Sequence, residues 1–533
     1  MKKINCLCLF LSFFCFNGYS QVWQWNVKIN SSISKETNDH PQAFLWIPEN
    51  CKQVRGVVFT QHNMIEEGML EHSYFRKVMS ELGFAEVWVT PMISLTYDIN
   101  KGEDKVCQET MQLLADVSGY NELAYAPIIP MGHSAMASFP WNFAAFNPER
   151  TLALVSVHGD APQTNLTGSG RPNPDWGNRN IDGIPSLFIM GEYEWMEARI
   201  TPAYSYILKH PQSVITLFAD AGHGHFDYSD AMVKYVADYI REAAKRRLPP
   251  KSPANDFVKL VKVKPDSGWL MDKWRKDSIP KYKPASFNQF VGDKRTASWV
   301  FDEKTAKATE SFYAQARGKI NQTIGFKQNG EIVKPKKGHA IFNLDFKPLK
   351  DGISFSINAF YADTSRIKPV HNFAKTPLKI DRICGPVKKI NDTIFQINFY
   401  RMGFNNPKRS NDIWLLAHNE GDDNYKSAVQ QLDLRFPLIN KEGKPQTIDF
   451  PPLKDVKSGT KKIHLNATSN VGAKVFYYVK EGPAYLKDDV LYFTKIPPRT
   501  KSPVKVTVVA WQYGIAGELQ SATPVEQSFY LKE

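Results

Sequence analysis

Between residues 22 and 247, short apolar runs alternate with amphipathic stretches of helical length, and no other feature constrains the fold as strongly. Residues 42–47, 56–60, 86–90, 153–158, 186–190 and 214–218 read as strands. Residues 71–82, 106–117, 197–208 and 229–244 read as helices. Alternation of this kind predicts an α/β class, with a mostly parallel, doubly wound sheet covered by helices on both faces. Chemistry in such sheets gathers at the carboxyl ends of the strands. Those ends are where reactive side chains are to be sought.

A further apolar run ends in Met131-Gly132-His133-Ser134-Ala135-Met136, and a helix then continues through Trp141, Phe143, Ala144 and Phe146. Gly132 and Ala135 leave room for a strained backbone at Ser134, and the start of a helix favours negative charge developing beside it. Gly-His-Ser-Ala-Met resembles the nucleophile elbow of the α/β-hydrolases, G-x-S-x-G, with Met136 in place of the last glycine. The resemblance covers about residues 23–247. It implies an α/β-hydrolase domain with a serine nucleophile, followed along the chain by an acid and then a histidine.

After the last strand comes Asp220-Ala221-Gly222-His223-Gly224-His225-Phe226. The family's histidine lies in an Ala-Gly-His or Gly-His context, which selects His223, with His225 as the alternative. Two histidines around one glycine also suggest a metal, but no third ligand at convincing spacing and no H-E-x-x-H accompany them. No metal and no cofactor are therefore expected. The acid follows the preceding strand, in Met190-Gly191-Glu192-Tyr193-Glu194. Its place three residues after the glycine selects Glu194, with Glu192 and Asp160 as alternatives. The resemblance also implies an oxyanion hole formed by the Ala135 backbone and a donor after an early strand, at His62 or Asn63. The family's His-Gly-Gly run is absent there. A long Gly-, Pro- and Asn-rich loop over residues 164–179 carries Arg171, Trp176 and Arg179, which suit a substrate wall for a sugar or a uronate.

At the start of the chain, Met1-Lys2-Lys3, an apolar run to Phe16 and Asn17-Gly18-Tyr19-Ser20 describe a secretory signal peptide over residues 1–20. The run is too short to span a bilayer, so a secreted or periplasmic protein without a membrane span is expected. Cys51, Cys107 and Cys384 lie beyond it, an odd number that excludes a disulfide scaffold. A Cys51–Cys107 bridge and buried free thiols both stay open. The formal net charge of +13 is spread widely and accompanies no nucleic-acid fold signature. In an exported protein it suits an anionic glycan or a merely soluble basic surface better than DNA.

A chain of 533 residues exceeds one ordinary domain. The catalytic domain is expected over residues 21–250, and Pro249, Pro250 and Pro253 then mark a linker. Residues 254–440 read as a β-rich accessory domain with one helical patch at 303–316. Residues 446–533 read as a β-sandwich whose Phe476-Tyr477-Tyr478-Val479-Lys480 run resembles bacterial immunoglobulin-like domains of exported carbohydrate-active enzymes. The reading that unites these features is an exported carbohydrate esterase. It removes acetyl, methyl or feruloyl groups from a plant or algal polysaccharide by a Ser-His-Glu triad and an acyl-enzyme, without nucleic acid. A serine peptidase of the same fold and a non-catalytic glycan-binding protein are the alternatives, and nothing in the sequence sets the oligomeric state.

Overall fold

The computed structural model describes residues 22–164, 172–338 and 340–533. The signal-peptide segment and Arg171 lie outside them. Eight strands form the first sheet: β1 (Trp25–Lys28), β2 (Gln42–Trp46), β3 (Gly56–Gln61), β4 (Phe84–Thr90), β5 (Ile128–His133), β6 (Leu154–Val157), β7 (Pro185–Gly191) and β8 (Val214–Asp220). Their order is β1-β2-β4-β3-β5-β6-β7-β8. Pairs β1/β2 and β2/β4 are antiparallel, and every later pair is parallel. This mostly parallel sheet is the arrangement expected of an α/β-hydrolase fold. The helices are α1 (Glu66–Leu70), α2 (Ser73–Leu82), α3 (Glu103–Ser118), α4 (Ser138–Phe146), α5 (Glu197–Lys209) and α6 (Asp230–Arg247).

Both faces of the sheet are buried because successive residues of a strand point to opposite sides. Val58, Ile129, Val155 and Leu187 join α2 and α6 in one core. Val57, Phe59 and Ile128 pack with α3 on the other face, and Leu154 and Phe188 continue that face towards α5. Continuous burial along β3 to β8 follows, which is why these strands read as unbroken apolar runs. Cys51, Cys107 and Cys384 are free and buried, so no Cys51–Cys107 bridge forms.

Packing does not change at the proline linker. A three-stranded sheet of Ala285–Ser286, Trp269–Met271 and Ser298–Val300 lies against β8, and Trp299, Phe301 and Tyr313 join the α6 core. The Ser298 hydroxyl accepts from the Leu217 N–H at 2.9 Å and donates to its carbonyl at 3.1 Å. The Tyr313 hydroxyl accepts from the Ala219 N–H at 3.2 Å. Side chains thus satisfy the outer backbone of β8, an edge that would otherwise template pairing with another strand.

Beyond this cap, a five-stranded and a four-stranded sheet face one another across a core containing Phe326, Phe355, Phe395 and Leu415. Residues 448–532 form a four-stranded and a three-stranded sheet around Leu491, Val506, Val508 and Phe529. Ion pairs tie the β-rich part to helix and turn residues that flank the first sheet. Arg401 meets Glu67 and Glu71, Arg382 meets Glu67 at 3.1 Å, and Arg499 meets Glu122 at 2.9 Å. No helix among the described residues is long and apolar enough to cross a membrane.

Candidate active site

Ser134 follows β5 directly and opens a single turn, Ser134–Met136, that leads into α4. Its φ is +53°, a conformation side chains avoid, and such strain concentrates where geometry is functional. The neighbours show how the turn closes. A Cβ on Gly132 would stand 2.2 Å from the Met136 carbonyl oxygen, and one on Gly159 would stand 2.1 Å from Ala137 Cβ. Close approach is therefore borne by Gly132 and Gly159. Position 136 needs no glycine, and the Met136 side chain fills the core beside Phe139 and Phe143.

Three side chains from three strand ends meet here. Ser134 Oγ lies 2.7 Å from His225 Nε2, and His225 Nδ1 lies 2.5 Å from Glu194 Oε2. Glu194 closes the short turn after β7, where Oε1 also accepts from the Gly191 N–H at 3.4 Å. Arg199 donates to Glu194 Oε2 at 3.1 Å and to Asp160 at 3.2 Å. Burial alone would raise the Glu194 carboxyl. The His225 hydrogen bond and the His158, His225 and Arg199 charges outweigh it and hold the pKa at about 2. An ionised carboxylate behind an imidazole behind a serine hydroxyl can accept and return the hydroxyl proton.

The histidine of the relay is His225, where the Ala-Gly-His context selects His223. His223 turns away. Its Nδ1 lies 2.5 Å from Asp227 Oδ2, and Asp227 also accepts from the Gly224 N–H at 2.9 Å. Glu192 is likewise removed from the relay, since it accepts from the Gly222 N–H at 2.9 Å and from Lys426 at 2.5 Å. Asp160 faces Arg199, and the carboxylate on His225 Nδ1 is that of Glu194.

Two further histidines, unassigned from sequence, hold the loop. His133 Nε2 and His158 Nδ1 lie 2.7 and 2.8 Å from the His225 carbonyl oxygen. A carbonyl only accepts, so both nitrogens carry hydrogen. Burial, followed by the neighbouring imidazoles, pushes the His133 pKa well down, which keeps that ring neutral. Glu66 was also missed. Its carboxylate accepts from the Asn63 and Met64 N–H groups at 3.1 and 2.8 Å and from the His133 N–H at 2.9 Å, joining the loop after β3 to the residue before Ser134.

That clip alters the expected oxyanion donors. The Asn63 N–H is committed to Glu66, and the His62 N–H to the Val89 carbonyl at 2.8 Å. The Asn63 amide donates to the His133 carbonyl at 3.0 Å. His62 Nδ1 meets Thr90 Oγ1 at 3.0 Å, while burial and then Arg409 and Arg382 push the pKa of this ring well down. Ala135 stands on the turn after Ser134, as expected.

Of the residues expected to form a substrate wall, Trp176 and Arg179 do not stand beside Ser134. Trp176 is buried in the core, where Nε1 donates to Asn142 Oδ1 at 2.8 Å. Arg179 lies over Phe146, 5.3 Å from the ring centre, at the far end of α4 from Ser134. The indole of Trp176 supplied buried volume, which composition alone does not distinguish from a platform. The β-rich part takes up the place near the loop instead. Trp414 stacks on Phe226, the neighbour of His225, with centroids 5.2 Å apart, and Arg409 donates to Asn63 Oδ1 at 3.4 Å.

No protein-family model and no curated protein matches the chain. Among solved structures, it is similar to an S-formylglutathione hydrolase from Agrobacterium tumefaciens at 15% identity and a TM-score of 0.29, covering 42% of this chain and 95% of that one. A dienelactone hydrolase from Anabaena variabilis aligns at 16% identity and a TM-score of 0.26, covering 42% and 96%. A lidless α/β serine hydrolase from Xanthomonas campestris aligns at 14% identity and a TM-score of 0.28, covering 43% and 97%.

Proposed function

We propose that the chain is a serine hydrolase of ester bonds, with Ser134 as nucleophile, His225 as general base and Glu194 as the orienting acid. The observation that carries the proposal is the continuous relay of 2.7 and 2.5 Å from Ser134 through His225 to Glu194. As Ser134 Oγ attacks the ester carbonyl, its proton passes to His225 Nε2, and the charged ring is stabilised by a carboxylate that stays ionised. His225 then returns the proton to the leaving alcohol. Water repeats the sequence on the acyl-serine. The Ala135 N–H is the proposed first oxyanion donor. With the neighbouring backbone groups committed, the proposed second is His62 through Nε2. Such a donor is worth about 3–4 kcal/mol of barrier.

The substrate proposed is an acetyl, methyl or feruloyl ester on a polysaccharide, met after export. Supporting it are the signal-like start, the basic net charge and the β-rich segments that follow the first sheet. A panel of chromogenic acetyl esters, methylated pectin and acetylated xylan, run on wild type and Ser134→Ala, tests the reading. Acetate or methanol release by the wild type alone is expected, together with fluorophosphonate labelling of Ser134. Cleavage of peptides without esters would turn the reading to a peptidase, and absence of labelling would turn it to a binding protein.

A further inference from the structure

The loop that carries His225 runs from residue 221 to residue 229 without helix or strand. Gly222, at φ +81°, and Gly224 lie within it, and glycine leaves a backbone free to take several conformations. A reacting side chain must nevertheless be held within about 0.5 Å of its working position. His133 and His158 supply part of that restraint from strand ends of the first sheet. A second set of contacts reaches the loop from the β-rich part.

Gly222 is held at both of its backbone groups. Its carbonyl accepts from Ser427 Oγ at 2.8 Å, and its N–H donates to Glu192 Oε2 at 2.9 Å. The other Glu192 oxygen, Oε1, meets Lys426 Nζ at 2.5 Å, and the same ammonium reaches Asp277 Oδ1 at 2.7 Å. The Lys426 and Glu192 side chains are each 1% exposed, while Lys276 stands farther from Glu192, at 3.7 Å. Lys426 is itself fixed, since its N–H donates to the Ile320 carbonyl at 2.9 Å and its carbonyl accepts from the Gln322 amide at 2.7 Å. The Tyr193 hydroxyl donates to the Ser427 carbonyl at 2.5 Å, and the Tyr193 N–H to the His223 carbonyl at 2.9 Å. The fit leaves no slack: a Cβ on Gly222 would stand 2.1 Å from Ser427 Oγ.

We infer that Lys426 and Ser427 are positioning residues for His225, and that the β-rich unit carrying them belongs to the hydrolytic apparatus and is no detachable module. The effect on rate rests on the proposed Ser134–His225–Glu194 chemistry. Neither residue meets the relay; both act through Gly222, three residues before His225. Glu192 opens the short turn that Glu194 closes. One buried ammonium thus ties the turn of the acid to the loop of the base. Removing it leaves Glu192 buried without its nearest counter-charge, which is the costly way to break a buried pair.

The test uses the full chain with Lys426→Met, Ser427→Ala and the charge-balanced double variant Glu192→Gln/Lys426→Met. Arg499→Ala is the control, because Arg499 ties the β-rich part to Glu122, before the start of β5 and at the other end of that strand from Ser134. On an ester that the wild type turns over, kcat should fall about 100-fold in Lys426→Met and roughly tenfold in Ser427→Ala, with KM within about twofold, as displacement of a base predicts. The double variant should recover most of the Lys426→Met loss, since an amide oxygen still accepts from Gly222 without a buried charge. Arg499→Ala should stay within about twofold. Amide hydrogen exchange over residues 221–227, measured without substrate, should quicken in Lys426→Met and Ser427→Ala but not in Arg499→Ala. Faster exchange in a chain whose wild type turns over no ester supports the inference and overturns the ester reading alone. Unchanged exchange, unchanged kcat, or an equal loss in Arg499→Ala overturns the inference. Should Lys426→Met fail to fold, Ser427→Ala, which removes one hydroxyl, carries both measurements.

Discussion

Two imidazole–carboxylate pairs stand on the loop after β8, and their first contacts are alike. His223 Nδ1 and His225 Nδ1 each lie 2.5 Å from a carboxylate oxygen, and their side chains are 11% and 15% exposed. They differ in where the carboxylate comes from. Asp227 is four residues from His223 and is available to the loop alone, whereas Glu194 is 31 residues from His225 and arrives only when β7 and β8 pair. They differ also in the second contact, since only His225 reaches Ser134. A histidine–acid pair is thus a common local structure. What distinguishes a catalytic one is a third group placed by long-range folding.

The largest effects follow from that third group. Ser134→Ala and His225→Ala should each lower kcat by roughly six orders of magnitude, and the double variant should be no worse, because members of one proton-transfer unit do not add. His223→Ala disturbs the loop without removing the base, for a loss of roughly 10–100-fold. Steady-state kinetics on one ester substrate decides. Equal losses at 223 and 225 would break the distinction between the pairs.

The acids come next. Glu194→Gln should cost about 10⁴-fold in kcat, as loss of the orienting acid does in a triad, and Asp227→Asn far less. With its pKa held at about 2, below the ordinary 4.5, Glu194 contributes stability that is present above pH 4.5 and lost as the pH falls towards 2. Urea unfolding at pH 6 and pH 3 should show a fall in wild type that is smaller in Glu194→Gln. A fall of equal size in wild type and Glu194→Gln would contradict this assignment.

The sheet was legible because β3 to β8 are buried on both faces and their apolar runs are continuous. The sequence reading passed over β1, a short edge strand of Trp25-Asn26-Val27-Lys28 buried mainly at its first residue. The positions of Ser134 and Glu194 at strand ends were legible because each follows its strand directly, where motif spacing translates into position. His223 and His225 were not separable in the same way, since Gly222, at φ +81°, and Gly224 let the loop present either ring. The signal for a competing pair was Asp227, four residues after His223. Glu66 and Trp414 left no such signal, because their roles come from contacts with the elbow and with Phe226 that only the folded chain creates.

A smaller effect tests how the site is supported. Burial outweighs the four backbone N–H groups at Glu66, those of Glu66 itself, His133, Met64 and Asn63, and pushes its pKa up to about 7 from 4.5. The folded chain therefore holds this proton more tightly than the unfolded chain. Stability falls as the pH rises from 4.5 to 7, by about 3 kcal/mol from this residue. In Glu66→Gln that fall should be missing, so it should appear in full as the difference between the two stability curves. The amide also points N–H groups at N–H donors, so kcat should drop roughly tenfold with KM little changed, as misplacement of the elbow predicts. Parallel stability curves would mean that Glu66 is not the titrating group.

The smallest effect is expected at Arg179, and it tests whether sequence proximity to the site or spatial proximity governs. Its guanidinium packs over Phe146 and donates to the Trp176 carbonyl at 3.4 Å, on the exposed surface. Phe146 ends α4, eight residues beyond its start at Ser138, which at 1.5 Å per residue is about 12 Å along the axis from the elbow end. Removing the side chain therefore takes away an exposed cation–π contact of about 0.5–1 kcal/mol and no group near Ser134. Arg179→Ala should keep kcat/KM within about twofold, a change under 0.5 kcal/mol in the transition state. The measurement is kcat/KM on an uncharged ester and on a uronate methyl ester side by side. A tenfold loss confined to the uronate substrate would return this loop to the substrate wall that its composition suggests.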